Sequence, residues 1–170
     1  MEPTSRKYLF FDLDGTLTDS MPGIARAVQY ALRRFGIDVQ DLAALKPFLG
    51  PPLRDSFMEF YGMSPEEADR AVAVSREYFV PRGMFENELY PGIPELLAAT
   101  AAAGRVNVIA TPKPQPFAER IAAHFGIDRH FRLISGSTFD GRRKTKADVI
   151  RHALSALGIA PGEAVMIGDR

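Results

Sequence analysis

Two aspartates separated by one residue are the side chains in this sequence with the clearest potential for chemistry. Asp12 and Asp14 lie in the segment Asp12-Leu13-Asp14-Gly15-Thr16, directly after the apolar run Tyr8-Leu9-Phe10-Phe11. An apolar run without polar alternation predicts a strand that is covered on both faces. Two carboxylates this close repel each other, and their ionisation is costly unless a cation lies between them. Because the available ligands are oxygen atoms, the pair predicts a Mg²⁺ site at the end of the strand.

A cation beside Asp12 would also offset the repulsion between an anionic nucleophile and an anionic phosphate. Asp12 can then attack phosphorus and form an aspartyl-phosphate, which water can open. Another group must protonate the departing alkoxide and later deprotonate the water, and Asp14 is placed for that exchange. By itself the Asp-x-Asp-Gly pattern also occurs in turns and calcium loops, because aspartate and glycine favour turn conformations.

The rest of the chain predicts the framework that holds these residues. From Ser20 to Glu88 the pattern is helical and no strand interrupts it, and after Tyr90-Pro91-Gly92 helices and strands alternate. The predicted helices cover residues 93–102, 116–125 and 147–157, and the predicted strands cover residues 105–110, 131–134 and 164–167. This alternation predicts an α/β fold with a doubly wound parallel sheet, whose ligand site gathers at the carboxyl ends of the strands.

The segment from Phe11 to Ser20 resembles the first motif of the haloacid dehalogenase-like superfamily. The resemblance implies a Rossmann-like catalytic core formed by residues 1–18 and 91–170, with an all-helical cap formed by residues 19–90. The insertion has the size and position of the cap in the phosphoglycolate phosphatase-like branch. The resemblance implies that Asp12 and Asp14 are catalytic residues and metal ligands.

Three further motifs of the superfamily follow in order. Val108-Ile109-Ala110-Thr111 is similar to the second motif, in which the hydroxyl of Thr111 would hydrogen-bond the transferring phosphoryl group. Lys146 matches the third motif, a cation that contacts both phosphate and nucleophile, with Lys144 as its rival. The segment from Val165 to Arg170 resembles the fourth motif, in which Asp169 would bind the metal.

Two positions depart from the family pattern. The fourth motif normally continues to a further aspartate, whereas this chain ends at Arg170, which leads us to expect a truncated product. Pro112 stands where relatives place a small polar residue whose backbone N–H holds phosphate, and proline has no such hydrogen. The loss of one preorganised donor of this kind can cost about 3 kcal/mol of transition-state stabilisation.

The insertion contains one candidate substrate contact. The segment from Phe48 to Arg54 resembles the part of the cap that faces the active site, so Arg54 is predicted to bind a substrate carboxylate or phosphate. The alternative interpretation of Arg54 is an exposed arginine on the first turn of a helix.

The resemblance therefore implies a Mg²⁺-dependent hydrolase of small phosphate monoesters that acts through an aspartyl-phosphate. Phosphoglycolate and nucleoside monophosphates are the substrates it suggests. Two alternatives stay open: a sugar phosphomutase of the same superfamily, and a truncated, non-catalytic remnant that binds metal or phosphate.

Composition narrows the class of partner. The chain has 170 residues, 46% of them hydrophobic, and its formal net charge is zero, which is typical of an ordinary soluble globular protein. Without net charge there is no long-range field to recruit nucleic acid or an anionic membrane, so we expect a small-molecule partner. The absence of cysteine excludes disulfides, thiolate zinc sites and a cysteine nucleophile. A cytoplasmic monomer is the resulting expectation.

Overall fold

The structure is a computed structural model and describes residues 6–169. These residues form two compact units, of which the first comprises residues 6–18 and 89–169 and the second comprises Asp19–Glu88. The sequence predicted that the insertion begins after residue 18 and ends at residue 90. In the structure the second unit begins after residue 18 and ends at residue 88.

Six strands and six α-helices make up the regular structure of the described chain, together with short 3₁₀ turns. The strands are β1 (Tyr8–Phe11), β2 (Thr18–Asp19), β3 (Glu88–Leu89), β4 (Val106–Pro114), β5 (Phe131–Ser137) and β6 (Ala164–Ile167). The helices are α1 (Met21–Arg34), α2 (Leu53–Tyr61), α3 (Pro65–Phe79), α4 (Ile93–Ala102), α5 (Gln115–His124) and α6 (Lys146–Leu157). Among the described residues, no helix is both long enough and apolar enough to cross a bilayer.

A four-stranded parallel sheet in the order β5-β4-β1-β6 forms the centre of the first unit. Phe11 at the end of β1 lies opposite Ile109 on one side and Ile167 on the other. The residues that follow these three positions therefore emerge at the same edge of the sheet. Small β2 and β3 pair with each other where the chain leaves and re-enters this unit.

Helices cover both faces of the sheet, which confirms the predicted α/β fold. On one face Phe10 of β1 packs in a cluster with Val108 of β4 and Val149 of α6. On the opposite face the side chain of Asn107 donates to the carbonyl of Leu97 in α4. The chain runs outward from β1 to β4 and then to β5, and α6 returns it to β6 on the far side of β1. This reversal makes the carboxyl ends of β1 and β6 the expected ligand crevice.

Strand β4 is longer than predicted. The sequence predicted its end at residue 110, but the strand continues to Pro114, which lies opposite Ser137 of β5. The prediction stopped early because Pro112 and Pro114 lack the N–H that an ordinary strand donates. Beyond Ile109 the only strand of the described sheet that pairs with β4 is β5, so an irregular ladder with missing donors is tolerated there.

The second unit is almost entirely helical and has its own apolar core. Its buried cluster includes Val28 of α1, Phe57 of α2 and Ala71 of α3, with Phe48 from a 3₁₀ helix over Leu42–Phe48. The rings of Phe48 and Phe57 meet edge to face at 5.1 Å. A capping box begins α3, in which the side chains of Ser64 and Glu67 each bond the other's backbone N–H.

Candidate active site

The turn after β1 fixes the orientation of Asp12. The N–H of Asp12 donates to the carbonyl of Ile167 at 2.9 Å, and its Oδ1 accepts from the N–H of Leu13 at 2.8 Å. The N–H of Gly15 closes the turn on the carbonyl of Thr18 at 2.8 Å. Asp12 is only 6% exposed. The candidate nucleophile is therefore a buried carboxylate whose direction is set by backbone on two sides.

Gly15 is the point at which this turn meets the end of β6. Its φ of +77° lies in the left-handed region, which only glycine adopts without strain. A Cβ added at this position would lie 2.7 Å from Oδ2 of Asp169. The carboxylate of Asp169 thus lies against the backbone of the turn that carries Asp12 and Asp14, in space that a side chain at position 15 would occupy.

Lys146 forms an ion pair with Asp12. Its Nζ lies 2.6 Å from Oδ2 of Asp12, and the two side chains are 27% and 8% exposed. Lys146 is the first residue of α6, immediately after the residue that caps the helix. The structure therefore brings Lys146 to Asp12, whereas at the rival position the backbone N–H of Lys144 donates to Asp148.

A capping box at the start of α6 fixes the backbone that carries Lys146. The hydroxyl of Thr145 accepts from the N–H of Asp148, and the carboxylate of Asp148 accepts from the N–H of Thr145 at 2.9 Å. That N–H and then the hydroxyl of Thr145 lower the pKa of Asp148 well below its usual range, with a further contribution from the guanidinium of Arg151. The ionised carboxylate of Asp148 also lies where the helix dipole favours negative charge.

The loop that leads into α6 is held by hydrogen bonds of its own. Asp140 accepts from the hydroxyl of Thr138 at 2.6 Å and from Nε of Arg142 at 2.6 Å. The hydroxyl of Thr138 and the backbone N–H and guanidinium of Arg142 lower the pKa of Asp140 to about 2. The N–H of Thr138 donates to the carbonyl of Arg143 at 2.9 Å, so the loop is folded back on itself before α6 begins.

A second lysine, which the sequence interpretation missed, binds Asp14. Nζ of Lys113 lies 2.9 Å from Oδ1 and 2.7 Å from Oδ2 of Asp14, and the two side chains are 6% and 18% exposed. The signal that was available is the alternation of a strand, because Lys113 is two residues after Thr111 and therefore shares its face. Pro112 and Pro114 obscure this signal, because prolines on both sides of Lys113 suggest a loop and not a strand.

Thr111 lies next to this pair on β4. It is 1% exposed, and its hydroxyl accepts from the N–H of Lys113 at 3.3 Å. Pro112 occupies the position at which the family pattern supplies a backbone donor, and it has no N–H. The next N–H along the chain is that of Lys113, which donates to the hydroxyl of Thr111. A hydroxyl that accepts one bond keeps its own hydrogen for another acceptor.

The remaining predicted residues are arranged as follows. Asp12, Asp14 and Asp169 all lie on or against the turn after β1, but among the described residues no three acidic or imidazole groups converge closely enough to hold a metal ion. Arg54 belongs to the second unit, where its Nε donates to Asp69 at 2.7 Å and its side chain is 42% exposed.

Comparison with known proteins agrees with the motifs. Residues 7–170 match the model of a family of hydrolases, the haloacid dehalogenase-like hydrolases. The chain belongs to this family, which confirms the resemblance seen in the sequence. Several of its relatives are phosphatases, which supports a hydrolase of the phosphatase type.

Three similar proteins illustrate the range of the family. A 5'-nucleotidase of Pseudomonas aeruginosa is 51% identical over 95% of this chain and 73% of its own length. The tyrosine-protein kinase PtkA of Mycobacterium tuberculosis is 40% identical over 98% of this chain, which spans only 56% of the kinase. A crystal structure of a predicted phosphatase from Clostridium acetobutylicum superposes with a TM-score of 0.92 at 48% identity, over 97% of this chain and 76% of that one.

Proposed function

We propose that this chain hydrolyses phosphate monoesters of small metabolites in a Mg²⁺-dependent reaction in which Asp12 is the nucleophile. The observation that supports this most strongly is the buried carboxylate of Asp12, paired with Lys146 at 2.6 Å. The second carboxylate, Asp14, lies two residues away and has a different cationic partner, Lys113. Two carboxylates held apart by two lysines can serve two different roles, one as nucleophile and one as acid and base.

The oxygen donors at the turn suit Mg²⁺. Asp12 and Asp169 are the carboxylates that fit this role best, because the carboxylate of Asp169 lies against the turn that presents Asp12. Both oxygens of Asp14 bind the ammonium of Lys113, so a metal ion at Asp14 would have to displace this lysine. When bound, the ion would neutralise charge on the phosphoryl oxygens and on the attacking carboxylate.

In the first half of the proposed reaction, an Oδ atom of Asp12 forms a bond to phosphorus. The bond between phosphorus and the ester oxygen breaks, and that oxygen takes a proton from Asp14 and leaves as the alcohol. Lys146 orients the carboxylate of Asp12, and the hydroxyl of Thr111 donates its hydrogen to a phosphoryl oxygen. These fixed donors stabilise the charge that spreads over the phosphoryl group.

In the second half, water attacks the phosphorus of the aspartyl-phosphate and gives a proton to Asp14. The bond between phosphorus and Oδ of Asp12 breaks, which releases inorganic phosphate, regenerates the carboxylate of Asp12 and leaves Asp14 protonated. Asp14 thus begins and ends the cycle in the same protonation state, and the net reaction consumes one water.

We propose nucleoside 5'-monophosphates as the first substrates to test, since a relative with 51% identity is a 5'-nucleotidase. Phosphoglycolate is the second, because the insertion resembles the cap of the phosphoglycolate phosphatase-like branch. Arg54 remains the proposed contact for a substrate carboxylate or phosphate, and its bond to Asp69 would then have to open.

The test is a phosphate-release assay with p-nitrophenyl phosphate and with these two substrates. Turnover should require Mg²⁺ and stop when EDTA is added. Asp12→Asn should abolish turnover because the amide of asparagine cannot act as the nucleophile that attacks phosphorus. Asp128→Asn is the matched control, since Asp128 is exposed on a 3₁₀ helix before β5, and it should keep full activity. Equal activity in Asp12→Asn and the wild type would exclude the covalent route.

A further inference from the structure

Lys113 is buried to a degree that lysine rarely reaches. Its side chain is 6% exposed, and a lysine that is taken out of water normally needs a partner of opposite charge. That partner is Asp14, whose two oxygens lie 2.9 Å and 2.7 Å from Nζ. An ammonium that engages both oxygens fixes the plane of the carboxylate as well as its position.

The backbone of Lys113 is itself fixed. Pro112 and Pro114 flank it, and a proline ring restricts φ to a narrow range. Its N–H donates to the hydroxyl of Thr111 at 3.3 Å. The neighbouring strand approaches closely, since a Cβ at Gly136 would lie 2.8 Å from the carbonyl oxygen of Lys113. Lys113 is thus a charge held on a stiff segment of β4, whereas Asp14 lies on a turn.

We infer that Lys113 is the positioning residue for Asp14, which it holds where the leaving oxygen of the substrate must receive its proton. This inference rests on the proposed function and assigns a role to a residue that the motif comparison passes over. Proton exchange requires the acid within hydrogen-bond reach of the leaving oxygen, and a small misplacement of a catalytic group can lower a rate by about 10²-fold. The effect of Lys113 should therefore depend on how much the leaving group needs a proton.

Two substrates separate this role from phosphate binding. An alkyl phosphate must have its leaving oxygen protonated, whereas p-nitrophenolate leaves without a proton. Lys113→Met keeps the length of the side chain and removes its charge. It should lower kcat/KM for the alkyl ester by about 10²-fold and for p-nitrophenyl phosphate by less than about fivefold. The parameter kcat/KM is chosen because it reports the steps up to phosphorylation of Asp12 and excludes the later attack by water.

Three comparisons control the experiment. Lys146→Met should lower kcat/KM for both esters alike, because Lys146 contacts Asp12. Lys7→Met makes the same substitution at an exposed lysine before β1 and should change neither. Lys113→Arg should recover part of the kcat/KM that Lys113→Met loses on the alkyl ester, since a guanidinium can also bind both oxygens of a carboxylate. An equal loss on the two esters in Lys113→Met, or no loss on either, would overturn the assignment.

Unfolding in urea keeps the two proposals distinguishable. Lys113→Met and Asp14→Asn should each lower the urea midpoint of unfolding. The midpoint of the double variant should lie no lower than that of the less stable single variant, because the interaction between the two residues is already lost after the first substitution. If the wild type hydrolyses neither ester, the proposed function fails, and this coupling alone decides whether Lys113 fixes Asp14. Additive losses in the double variant would show that it does not.

Discussion

Asp12 and Asp14 lie two positions apart, yet each has its own ammonium partner. Lys146 reaches Asp12 from the start of α6, and Lys113 reaches Asp14 from β4. The separate partners relieve the repulsion that makes a close pair of carboxylates costly to ionise. Loss of one partner from a buried pair typically destabilises a protein by about 3–5 kcal/mol, because the remaining charge is left uncompensated. The lysines are therefore part of the fold as well as candidates for the chemistry.

Gly15→Ala should weaken Mg²⁺ binding. The new Cβ would lie 2.7 Å from Oδ2 of Asp169, so this carboxylate must move away from the turn that carries Asp12. Loss of a group that only orients a metal ligand typically lowers affinity by about 10- to 100-fold, and displacement of the proposed ligand Asp169 should cost at least as much. Titration calorimetry with Mg²⁺ measures the change.

The matched control is Gly104→Ala. Gly104 has a similar φ of +71°, and a Cβ there would contact nothing within 4 Å. It shares the backbone strain and lacks the collision with Asp169. Mg²⁺ affinity that falls equally in the two variants would mean that strain, and not the displacement of Asp169, weakens binding.

The side chains at the site differ in how visible they are in the sequence. Asp12 and Asp14 stand out because a compact apolar run leads straight into them. Lys113 does not stand out, because two prolines surround it and suggest a loop. Lys113 and Asp14 are 99 positions apart in the chain, and the pairing of β1 with β4 brings them together. Contacts of this range depend on register, and local patterns do not encode register.

The start of α6 shows how one helix terminus positions a side chain. Thr145 and Asp148 satisfy each other's backbone N–H groups, and Lys146 lies between them in the first turn. Unpaired N–H groups at a helix start are normally satisfied by such a cap, which fixes where the helix begins. If the helix began one residue later, Lys146 would take the capping position and would no longer lie in the first turn.

Asp148→Asn should lower the stability of the protein in a pH-dependent manner. The hydrogen bonds from Thr145 lower the pKa of Asp148 in the folded state, so the folded state favours the ionised carboxylate. This stabilisation is complete above the pKa of the unfolded chain, about 3.9, and is lost as pH falls through the lower pKa of the folded state. The urea midpoint of the variant should lie below that of the wild type at pH 7, and the gap should narrow below about pH 4. A gap that stays constant with pH would contradict this account.

Most elements were predictable because their boundaries carry local signals. The apolar run from Tyr8 to Phe11 and the strand predicted at residues 164–167 coincide with the observed β1 and β6. Strand β4 was predicted too short because Pro112 and Pro114 remove donors that a strand normally uses. Pairing of Pro114 with Ser137 keeps the segment extended, and this tertiary contact overrides the local signal.

The molecule consists of two units, each with a core of its own. In the first, Phe10 and Val108 pack beneath α6, and in the second, Phe57 packs among α1 to α3. The chain passes from one unit to the other within β2 and back within β3. Separate cores predict separate local stabilities.

Phe57→Ala should destabilise the second unit selectively. Phe57 is fully buried, and truncation of a buried phenylalanine typically lowers the free energy of unfolding by about 3–5 kcal/mol. Amide hydrogen exchange should accelerate within Asp19–Glu88 more than in β4. The reciprocal variant, Ile121→Ala in α5, should reverse this pattern because Ile121 is fully buried in the first unit. If either substitution accelerated amide hydrogen exchange equally in both units, the two units would unfold together as one cooperative unit.

The most direct test of the proposed chemistry is to locate the phosphoryl group on the protein. Borohydride reduces an aspartyl-phosphate to homoserine, which mass spectrometry of peptides can assign to one position. The protein is mixed with Mg²⁺ and p-nitrophenyl phosphate and quenched rapidly with borohydride, with Asp14→Asn included because it should slow the attack by water. Homoserine at position 12, in larger amount in Asp14→Asn and absent without substrate, is the expected result. Turnover of the ester without homoserine at position 12 in either protein would contradict the covalent role of Asp12.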